Sequence, residues 1–446
     1  MAFVTLQEEA FPTYYVNIEM SPNNKSSATL SEFWFLKLPS LWAYFKSESI
    51  AFKAICCYMF VEYFRPQSIF PIIDFLPWAQ LFLIIALAAS FTDETSRLKW
   101  SKLHTFILLF AVTINLSILT AFDSSWSTEH YIFFAQWIII FFIITSIVTT
   151  KERLYVFFLV IFLCSIKIAF GTARTYVFRG FSFTSWGLMG PSGYFQNSGE
   201  LAILMLTLFP VAFYLYRNRA TSLATWEKWV LIIAVVSPLL TILGASSRGA
   251  QIALAVQFTV MFWKKIFKPK ALIMGGIVIS LAWQVLPEEQ KERFTSIGKD
   301  KTSIQRTLYW KNGWEMMKEH PALGVGYHNF IPYYTAHFPQ DILYKNAELP
   351  HNILIQIGTD AGFTALLFYL LIISTILFTR TPKHLISCDD SGVLLSIWRG
   401  NKMAVLGFFI AGQFVTVGYY PFLWISASLH ACLVFVANSS KSASKT

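Results

Sequence analysis

The sequence predicts an all-α polytopic membrane protein of about 12 transmembrane helices, on two observations. Hydrophobic residues make up 55% of the 446 residues and charged residues only 13%, where an ordinary soluble domain carries roughly 25% charged residues. Apolar runs near the length that crosses about 30 Å of hydrocarbon recur along the chain. These runs are continuous rather than alternating, which favours helices over barrel strands. The composition excludes both a soluble multidomain enzyme and a disordered chain.

The apolar runs divide the chain into spans and loops. The twelve predicted spans lie near 49–64, 72–90, 103–121, 130–149, 153–171, 199–217, 228–244, 248–263, 271–286, 351–378, 400–418 and 421–438. The predicted organisation is therefore a tail at 1–48, nine spans within 49–286, a large loop at 287–350, three spans within 351–438 and a tail at 439–446. Within the large loop, apolar residues at helical spacing predict a helix from Ile304 to His320, which Pro321 ends.

Basic residues predict the orientation of the spans. Every even-numbered loop carries lysine or arginine: Arg97, Lys99, Lys102, Lys151, Arg153, Arg217, Arg219, Lys228, Lys264, Lys265, Lys268, Lys270, Arg380, Lys383, Arg399 and Lys402. Because cytoplasmic loops carry an excess of these residues, the even loops and both termini are predicted to be cytoplasmic. The long odd loops at 172–198 and 287–350 then face outward. The net charge of +10 is explained by membrane orientation, and no nucleic-acid partner is expected.

Several arginines lie on the outer side, where the charge bias disfavours them: Arg65, Arg174, Arg179, Arg248 and Arg306. A guanidinium presents a planar fork of donors that matches phosphate oxygens. Arginines that converge there would form a site for a phosphate or pyrophosphate group. The alternative is that each arginine pairs with a carboxylate or reaches lipid headgroups, and Arg65 fits this alternative best. Arg248 favours the functional interpretation, because it stands among small residues at the mouth of a span.

His351 is the candidate general base. In Leu349-Pro350-His351-Asn352 it opens the tenth span on the outer side, with Pro350 suited to a first helical turn. A neutral imidazole accepts a proton near pH 7; the alternative is a capping or interfacial histidine. Weaker candidates are His130, His320, His328, His337, Gln356, Asp360, the Gly190-Pro191-Ser192-Gly193 loop and the helix start at Ser198.

No metal and no cofactor are expected from the sequence. No two histidines have a metal-ligand spacing such as HExxH, and the outer acidic residues Asp123, Glu129 and Glu200 are scattered. The five cysteines resemble neither a disulfide framework nor a metal cluster.

Several motifs together resemble the O-antigen ligase and O-antigen polymerase superfamily. They are Ser247-Arg248-Gly249, Arg306-Thr307-Leu308-Tyr309-Trp310, His320-Pro321-Ala322-Leu323-Gly324-Val325-Gly326-Tyr327-His328-Asn329-Phe330, and His351-Asn352 with Gln356 and Gly362. The resemblance covers roughly residues 190–370 closely and the whole chain by topology. Arg65-Pro66-Gln67 and Gly190-Pro191-Ser192-Gly193 further resemble the putative O-glycosylation ligases associated with exosortase systems.

The resemblance implies a GT-C-type glycosyltransferase in the bacterial inner membrane, with its active site at the periplasmic face. It implies a glycan donor on undecaprenyl pyrophosphate, an acceptor hydroxyl on lipid A core, protein or a growing polymer, and an inverting, metal-independent transfer. The family's catalytic histidine falls on His351. Its pyrophosphate-binding arginines fall on Arg248 and Arg306, and Arg174 or Arg179 supplies another, between which the spacing does not decide.

Other functions fit parts of the sequence. An O-antigen-type polysaccharide polymerase shares the ligase motifs. A transporter of lipid-linked glycans would also use outer arginines, but it predicts charges at mid-membrane and inverted repeats; Lys167 is the main deep charge, and no repeat is visible. A non-catalytic assembly subunit predicts that changing His351 leaves the chemistry intact. The sequence indicates neither the sugar, the acceptor nor the oligomeric state.

Overall fold

The computed structural model describes residues 36–182, 187–270, 300–387 and 392–443, with a few isolated positions between 271 and 299. These residues form helices and irregular segments, and no strand occurs among them. The long helices are α1 (Leu38–Ser47), α2 (Ile50–Phe64), α3 (Trp78–Thr92), α4 (Lys102–Leu119), α5 (Ser124–Ile147), α6 (Lys151–Phe178), α7 (Ser198–Arg219), α8 (Thr225–Gly244), α9 (Arg248–Met261), α10 (Lys301–Glu319), α11 (Phe330–His337), α12 (Ile353–Phe378), α13 (Val393–Ala411) and α14 (Pro421–Ala443). Short helical turns lie at Pro66–Ile69, Pro71–Ile73, Ala220–Ser222, Trp263–Ile266, Pro339–Asp341 and Lys383–Ser387.

Eight of the described helices, α4 to α8 and α12 to α14, are long and apolar enough to cross a membrane. The protein is therefore a multi-pass membrane protein, and its predicted all-helical class is confirmed. Three more predicted spans coincide with α2, α3 and α9, which have 15, 15 and 14 residues. Each would reach only about 21–23 Å, short of a full hydrocarbon crossing. The ninth predicted span lies outside the described residues, as does most of the predicted N-terminal tail, so the count of twelve stays a prediction.

The loops predicted to be cytoplasmic contact one another at one end of the helix bundle, and the loops predicted to face outward contact one another at the opposite end. At one end, Arg153 contacts Glu48, the Arg97 amide donates to Ser146 O, and Lys99 donates to Ser439. All of these residues lie at or beside loops predicted to be cytoplasmic. At the opposite end, Arg248 contacts Asp300 and the His351 amide donates to Thr416. The predicted sorting of the loops agrees with these contacts, and which end faces the cytoplasm stays a prediction.

The large loop forms a small helical unit with its own core. α10 packs against α12, and the glycines Gly313 and Gly358 permit close approach: a Cβ would lie 2.5 Å from Ile355 at the first and 2.3 Å from Met317 at the second. Aromatic and apolar side chains fill the space between α10 and α11. This second core contains Tyr309, Met316, Val325, Phe330, Tyr333, Tyr334 and Ala347. The prediction of a helix at Ile304–His320 agrees with α10, which begins three residues earlier because Asp300 caps it.

Four sequence predictions of local structure differ from the described helices. α12 begins at Ile353, not at His351, because the Asn352 side chain accepts the Leu354 and Ile355 amides as an N-cap; Pro350 therefore lies before the helix. α12 is also broken at Ala361 and Gly362, which have non-helical dihedrals. α13 ends at Ala411 rather than near 418, since the apolar residues that follow form a turn. α6 continues to Phe178, so Arg174 lies on a helix.

Candidate active site

The Ser247-Arg248-Gly249 motif is the start of α9. Ser247 caps the helix, accepting the Ala250 amide at 3.4 Å, so that Arg248 is its first residue. Gly249 faces Phe414 closely enough that a Cβ would lie 2.7 Å from the Phe414 side chain. The motif therefore places a guanidinium at the mouth of the bundle, beside the turn that links α13 to α14.

The start of α10 supplies two charged groups next to Arg248. Asp300 caps α10 by accepting the Ser303 amide at 2.9 Å, and its Oδ2 lies 3.4 Å from Nη1 of Arg248. Although burial opposes the change, hydrogen bonds from Ser303 and the contact with Arg248 lower the pKa of Asp300. Arg306, one and a half turns further along, has a buried Nε that lacks a hydrogen-bond partner in the described part of the chain.

His351 is held in an unusual backbone conformation beside these groups. Its φ is 51°, in the left-handed region that non-glycine residues rarely adopt. The His351 amide donates to Thr416 Oγ1 at 2.9 Å, and Trp310 Nε1 donates to the carbonyl of Pro350 at 2.9 Å. The imidazole Nε2 lies 3.5 Å from Oε2 of Glu348, and 29% of the histidine side chain is exposed. Strain of this kind is commonly found at functional sites.

Two close contacts, Arg248 with Asp300 and His351 with Glu348, are linked through the charge of Arg306. We call this set the Arg–His cluster: Arg248, Asp300, Arg306, Glu348 and His351. Burial lowers the pKa of His351 from 6.5, the positive charge of Arg306 lowers it further, and Glu348 opposes the shift. Burial also lowers the pKa of Arg306; Arg248 adds to this effect, whereas Asp300 and Glu348 offset it. The imidazole is therefore neutral at pH 7 and able to accept a proton.

The Arg–His cluster brings together three of the predicted site residues, Arg248, Arg306 and His351. The other two, Arg174 and Arg179, lie on an open groove along the end of α6 with Gly171, Thr175 and Phe178. The Arg174 guanidinium lies 5.4 Å from the centre of the Phe178 ring. In the described residues, neither arginine contacts a member of the cluster. Arg174 and Arg179 thus remain predictions without a geometric link to His351.

Arg65 lies elsewhere, under the glycine-rich loop of residues 190–193. A Cβ on Gly193 would lie 1.9 Å from Nη1 of Arg65, and Gly193 has a φ of +96°. Ser68 and Ser192 bond through their hydroxyls at 3.1 Å. Arg65 therefore packs against this loop, and its predicted pairing with a carboxylate or with lipid headgroups stays a prediction.

The Gly-Val-Gly-Tyr-His-Asn motif docks the large loop on the bundle. Gly324, with a φ of +66°, lies so close to Thr359 that a Cβ would be 2.2 Å from its carbonyl oxygen. The Val325 amide donates to Thr359 O at 2.7 Å, and the Phe122 amide donates to Val325 O at 2.9 Å. The Asn329 side chain, fully buried, bonds to Asp123, Ser127 and Tyr327. The glycines and the asparagine of this motif are therefore explained by the packing of the large loop against α12 and the α4–α5 connection.

The weaker candidates also have structural partners. His328 stacks on His130 with ring centres 4.1 Å apart, and burial, then His130, lowers its pKa to about 4. His320 ends α10 and contacts the Tyr333 hydroxyl at 3.2 Å. The Gln356 amide oxygen accepts the Gly418 amide, and Asp360 accepts the Tyr419 hydroxyl. No group of three or more His, Cys, Asp or Glu side chains in the described ranges could hold a metal ion.

Sequence reasoning missed the acidic members of the cluster. Asp300 stands three residues before Ser303 at a helix start, and Glu348 stands three residues before His351. The sequence pattern at Asp300 is typical of a helix N-cap. The pairing of Asp300 with Arg248, and that of Glu348 with His351, was not predictable from the sequence.

A comparison with known protein families matches the part of the chain that contains the Arg–His cluster. The family model described as O-antigen ligase matches residues 231–370. That stretch includes every member of the Arg–His cluster, and it confirms the family resemblance predicted from the sequence. No curated protein matches the chain.

Proposed function

Because residues 231–370 match the family model described as O-antigen ligase, we propose that this protein is an inverting glycosyltransferase that moves a glycan from a polyprenyl pyrophosphate to an acceptor hydroxyl at the outer membrane face. The observation that carries the proposal is the convergence of Arg248, Arg306 and His351. They belong to three separate segments that contacts bring together: Asp300, which caps the helix of Arg306, lies 3.4 Å from Arg248, and Trp310 on that helix donates to the carbonyl of Pro350, next to His351. Two guanidiniums suit a diphosphate, and a neutral imidazole suits a general base.

The reaction needs a proton acceptor and a stabilised leaving group. His351 takes the proton from the acceptor hydroxyl while the acceptor oxygen forms its bond to the anomeric carbon. The bond from that carbon to the phosphate oxygen breaks, and its electron pair stays on the departing polyprenyl pyrophosphate. Arg248 and Arg306 stabilise the charge that develops there, and their partial burial strengthens this effect relative to water. Attack from the side opposite the leaving group inverts the anomeric configuration.

The donor's lipid is proposed from the location of the cluster. His351 lies two residues before α12, one of the helices long and apolar enough to cross a membrane, and a diphosphate anchored by an isoprenoid chain would present its headgroup at such a helix end. Undecaprenyl pyrophosphate in the bacterial inner membrane is the donor that the family implies. An acceptor on lipid, polysaccharide or protein is equally compatible with the described residues.

The direct test is transfer in vitro. Purified protein in nanodiscs is incubated with a lipid-linked glycan and candidate acceptors, and wild type is compared with His351→Ala, Arg248→Ala and Arg306→Ala. Loss of a general base costs about 10²- to 10⁴-fold in rate, so His351→Ala should abolish measurable transfer while the protein stays folded. Wild-type turnover by that variant would refute the assignment.

The product separates the remaining classes. A ligase gives one transfer per acceptor, whereas a polymerase gives a ladder of glycan lengths. A transporter moves the lipid-linked glycan across sealed vesicles without a new glycosidic bond, and an assembly subunit gives neither product nor transport. The last two outcomes would overturn the enzymatic proposal.

A further inference from the structure

We propose that Glu348 is a positioning residue for His351: its carboxylate holds the imidazole through the Nε2 hydrogen, so that Nδ1 is the atom that accepts the proton. This inference rests on the proposed function, since it requires His351 to act as a base. It assigns a role to a residue outside the family motifs on which the sequence prediction was built.

The first support is the geometry of the pair. Oε2 of Glu348 lies 3.5 Å from Nε2 of His351. This distance is long for a hydrogen bond, as catalytic contacts commonly are before substrate binds. A neutral imidazole has one N–H and one lone pair, and the partner of one nitrogen decides the role of the other. A carboxylate facing Nε2 fixes the hydrogen there and leaves the Nδ1 lone pair available.

The second support is the rigid backbone on which the pair stands. The Glu348 amide donates to the Tyr309 hydroxyl at 2.8 Å, and the Pro350 carbonyl accepts from Trp310. The His351 amide donates to Thr416, and the residue adopts a left-handed φ of 51°. Three side chains from two other segments therefore fix the short turn that places the carboxylate beside the ring. A chance contact between mobile surface groups would need none of them.

The third support is charge. Arg306 places a positive charge next to His351 and disfavours the imidazolium that must form when the base takes a proton. Glu348 is the carboxylate that offsets this effect at His351. During the reaction the proton moves from the acceptor hydroxyl to Nδ1, and the Nε2 hydrogen stays with the ring, where Glu348 stabilises the new positive charge. The arrangement lets a phosphate-binding arginine and a base operate side by side.

The effect should be moderate, because 59% of the Glu348 side chain is exposed. Glu348→Gln should lower the rate of transfer by roughly fivefold, the size that a half-exposed ion pair allows. The KM for the donor should stay unchanged, since Glu348 does not hold the pyrophosphate. The acid limb of the pH–rate profile, where the rate falls as His351 becomes protonated, should move to lower pH. The Glu348 carboxylate raises the pKa of His351, so that its removal lowers this pKa. A purely structural role would not move that limb.

The experiment compares pH–rate profiles of wild type, Glu348→Gln, Glu348→Asp and His351→Ala with the matched control Glu315→Gln. Glu315 is a half-exposed glutamate on α10 that pairs with Lys318, and its variant should behave as wild type. Glu348→Asp keeps the carboxylate and should recover part of the rate. Unfolding temperatures of all variants are measured in the same nanodiscs.

The outcomes separate the two proposals. If His351→Ala is inactive while Glu348→Gln matches wild type in rate and in its acid limb, the positioning role is wrong and the proposed function stands. A slower Glu348→Gln with an unmoved acid limb also overturns the positioning role. If His351→Ala keeps wild-type activity, the proposed function itself fails.

Discussion

The Arg248 guanidinium lies 3.4 Å from the Asp300 carboxylate, at the place where the proposed pyrophosphate would bind. Both side chains are about one-third exposed, so a diphosphate can reach them. With Arg306 and Glu348, the two acidic and two basic groups of the Arg–His cluster balance while His351 is neutral. An anionic ligand would therefore compete with Asp300 for the Arg248 guanidinium.

We therefore expect Asp300→Asn to bind pyrophosphate more tightly than wild type. Asparagine is as good a helix cap as aspartate, so α10 keeps its start while Arg248 loses its competitor. An exposed pair contributes at most about 1 kcal/mol, which limits the gain to about fivefold. The measurement is the inhibition constant of inorganic pyrophosphate in the transfer assay, and Asp74→Asn, an exposed aspartate outside the cluster, is the control. Weaker binding by Asp300→Asn would mean that Asp300 positions Arg248 instead of competing for it.

The pH dependence of transfer should report His351. Burial and Arg306 hold its pKa below 6.5, and the reaction requires the neutral imidazole. The value of kcat/KM should therefore be level at neutral pH and fall to half only below pH 6.5. In Arg306→Gln the same limb should move to higher pH, because the cation that lowers the pKa is gone. His337→Gln, an exposed histidine on α11, should leave the profile unchanged; a wild-type limb at or above pH 6.5 would contradict the electrostatics.

The sequence predicts the helices and part of the site for a clear physical reason. Continuous apolar runs can only be buried in lipid or in a helix bundle, which predicts the spans. Arginines outside the predicted cytoplasmic loops are then unexpected, which makes them candidates for a functional site. Arg248 and Arg306 were predicted in this way, and His351 was predicted from its position at the start of a span. Asp300 and Thr416 were not, because their roles depend on contacts 52 and 65 residues away along the chain.

The break in α12 was also beyond sequence reasoning. Ala361 and Gly362 are small and apolar, so the run 351–378 has the character of one uninterrupted span. The break accompanies tertiary packing: a Cβ on Gly362 would lie 2.5 Å from the Ala322 carbonyl carbon, and the Phe363 amide donates to Pro321 O. The docking of a loop can thus change the path of a helix without any signal in the apolar pattern of that helix.

Replacing Gly324 tests how the large loop is attached. Gly324→Ala forces a side chain into a left-handed φ and places its Cβ 2.2 Å from Thr359 O. We expect a loss of at least about 2 kcal/mol from strain and displaced backbone, and a fall in transfer because α10 and the His351 turn shift together. Thermal unfolding and activity are measured on the same sample. Gly171→Ala is the control, since a Cβ there meets nothing within 4 Å; equal unfolding temperatures for both variants would refute this account of the docking motif.

The far end of the bundle carries a second charged group, which should matter for stability and not for chemistry. Arg153, of which 4% is exposed, lies 2.6 Å from Glu48 and 3.7 Å from Asp93. Although burial opposes the changes, hydrogen bonds from Arg153 and Tyr44 lower the pKa of Glu48, and hydrogen bonds from Thr95 lower that of Asp93 to about 2. Groups with lowered pKa values stabilise the fold above their ordinary pKa, and this stability is lost as the pH falls through the lowered values.

Arg153→Ala should therefore destabilise the protein by about 3–5 kcal/mol at pH 7, because it leaves two buried carboxylates without their cation. Since Glu48 then loses the guanidinium that helps to keep it ionised, the variant should also lose less stability than wild type as the pH falls below the ordinary pKa of that carboxyl, whereas Asp93 keeps the hydrogen bonds that lower its pKa. Unfolding temperature against pH, in nanodiscs, measures both effects. Lys151→Ala, which breaks a 3.9 Å pair with Glu152 at the same end, is the control and should change little. The KM for the donor should stay at the wild-type value in the folded Arg153→Ala fraction; a raised KM would show that this end of the bundle is coupled to the Arg–His cluster.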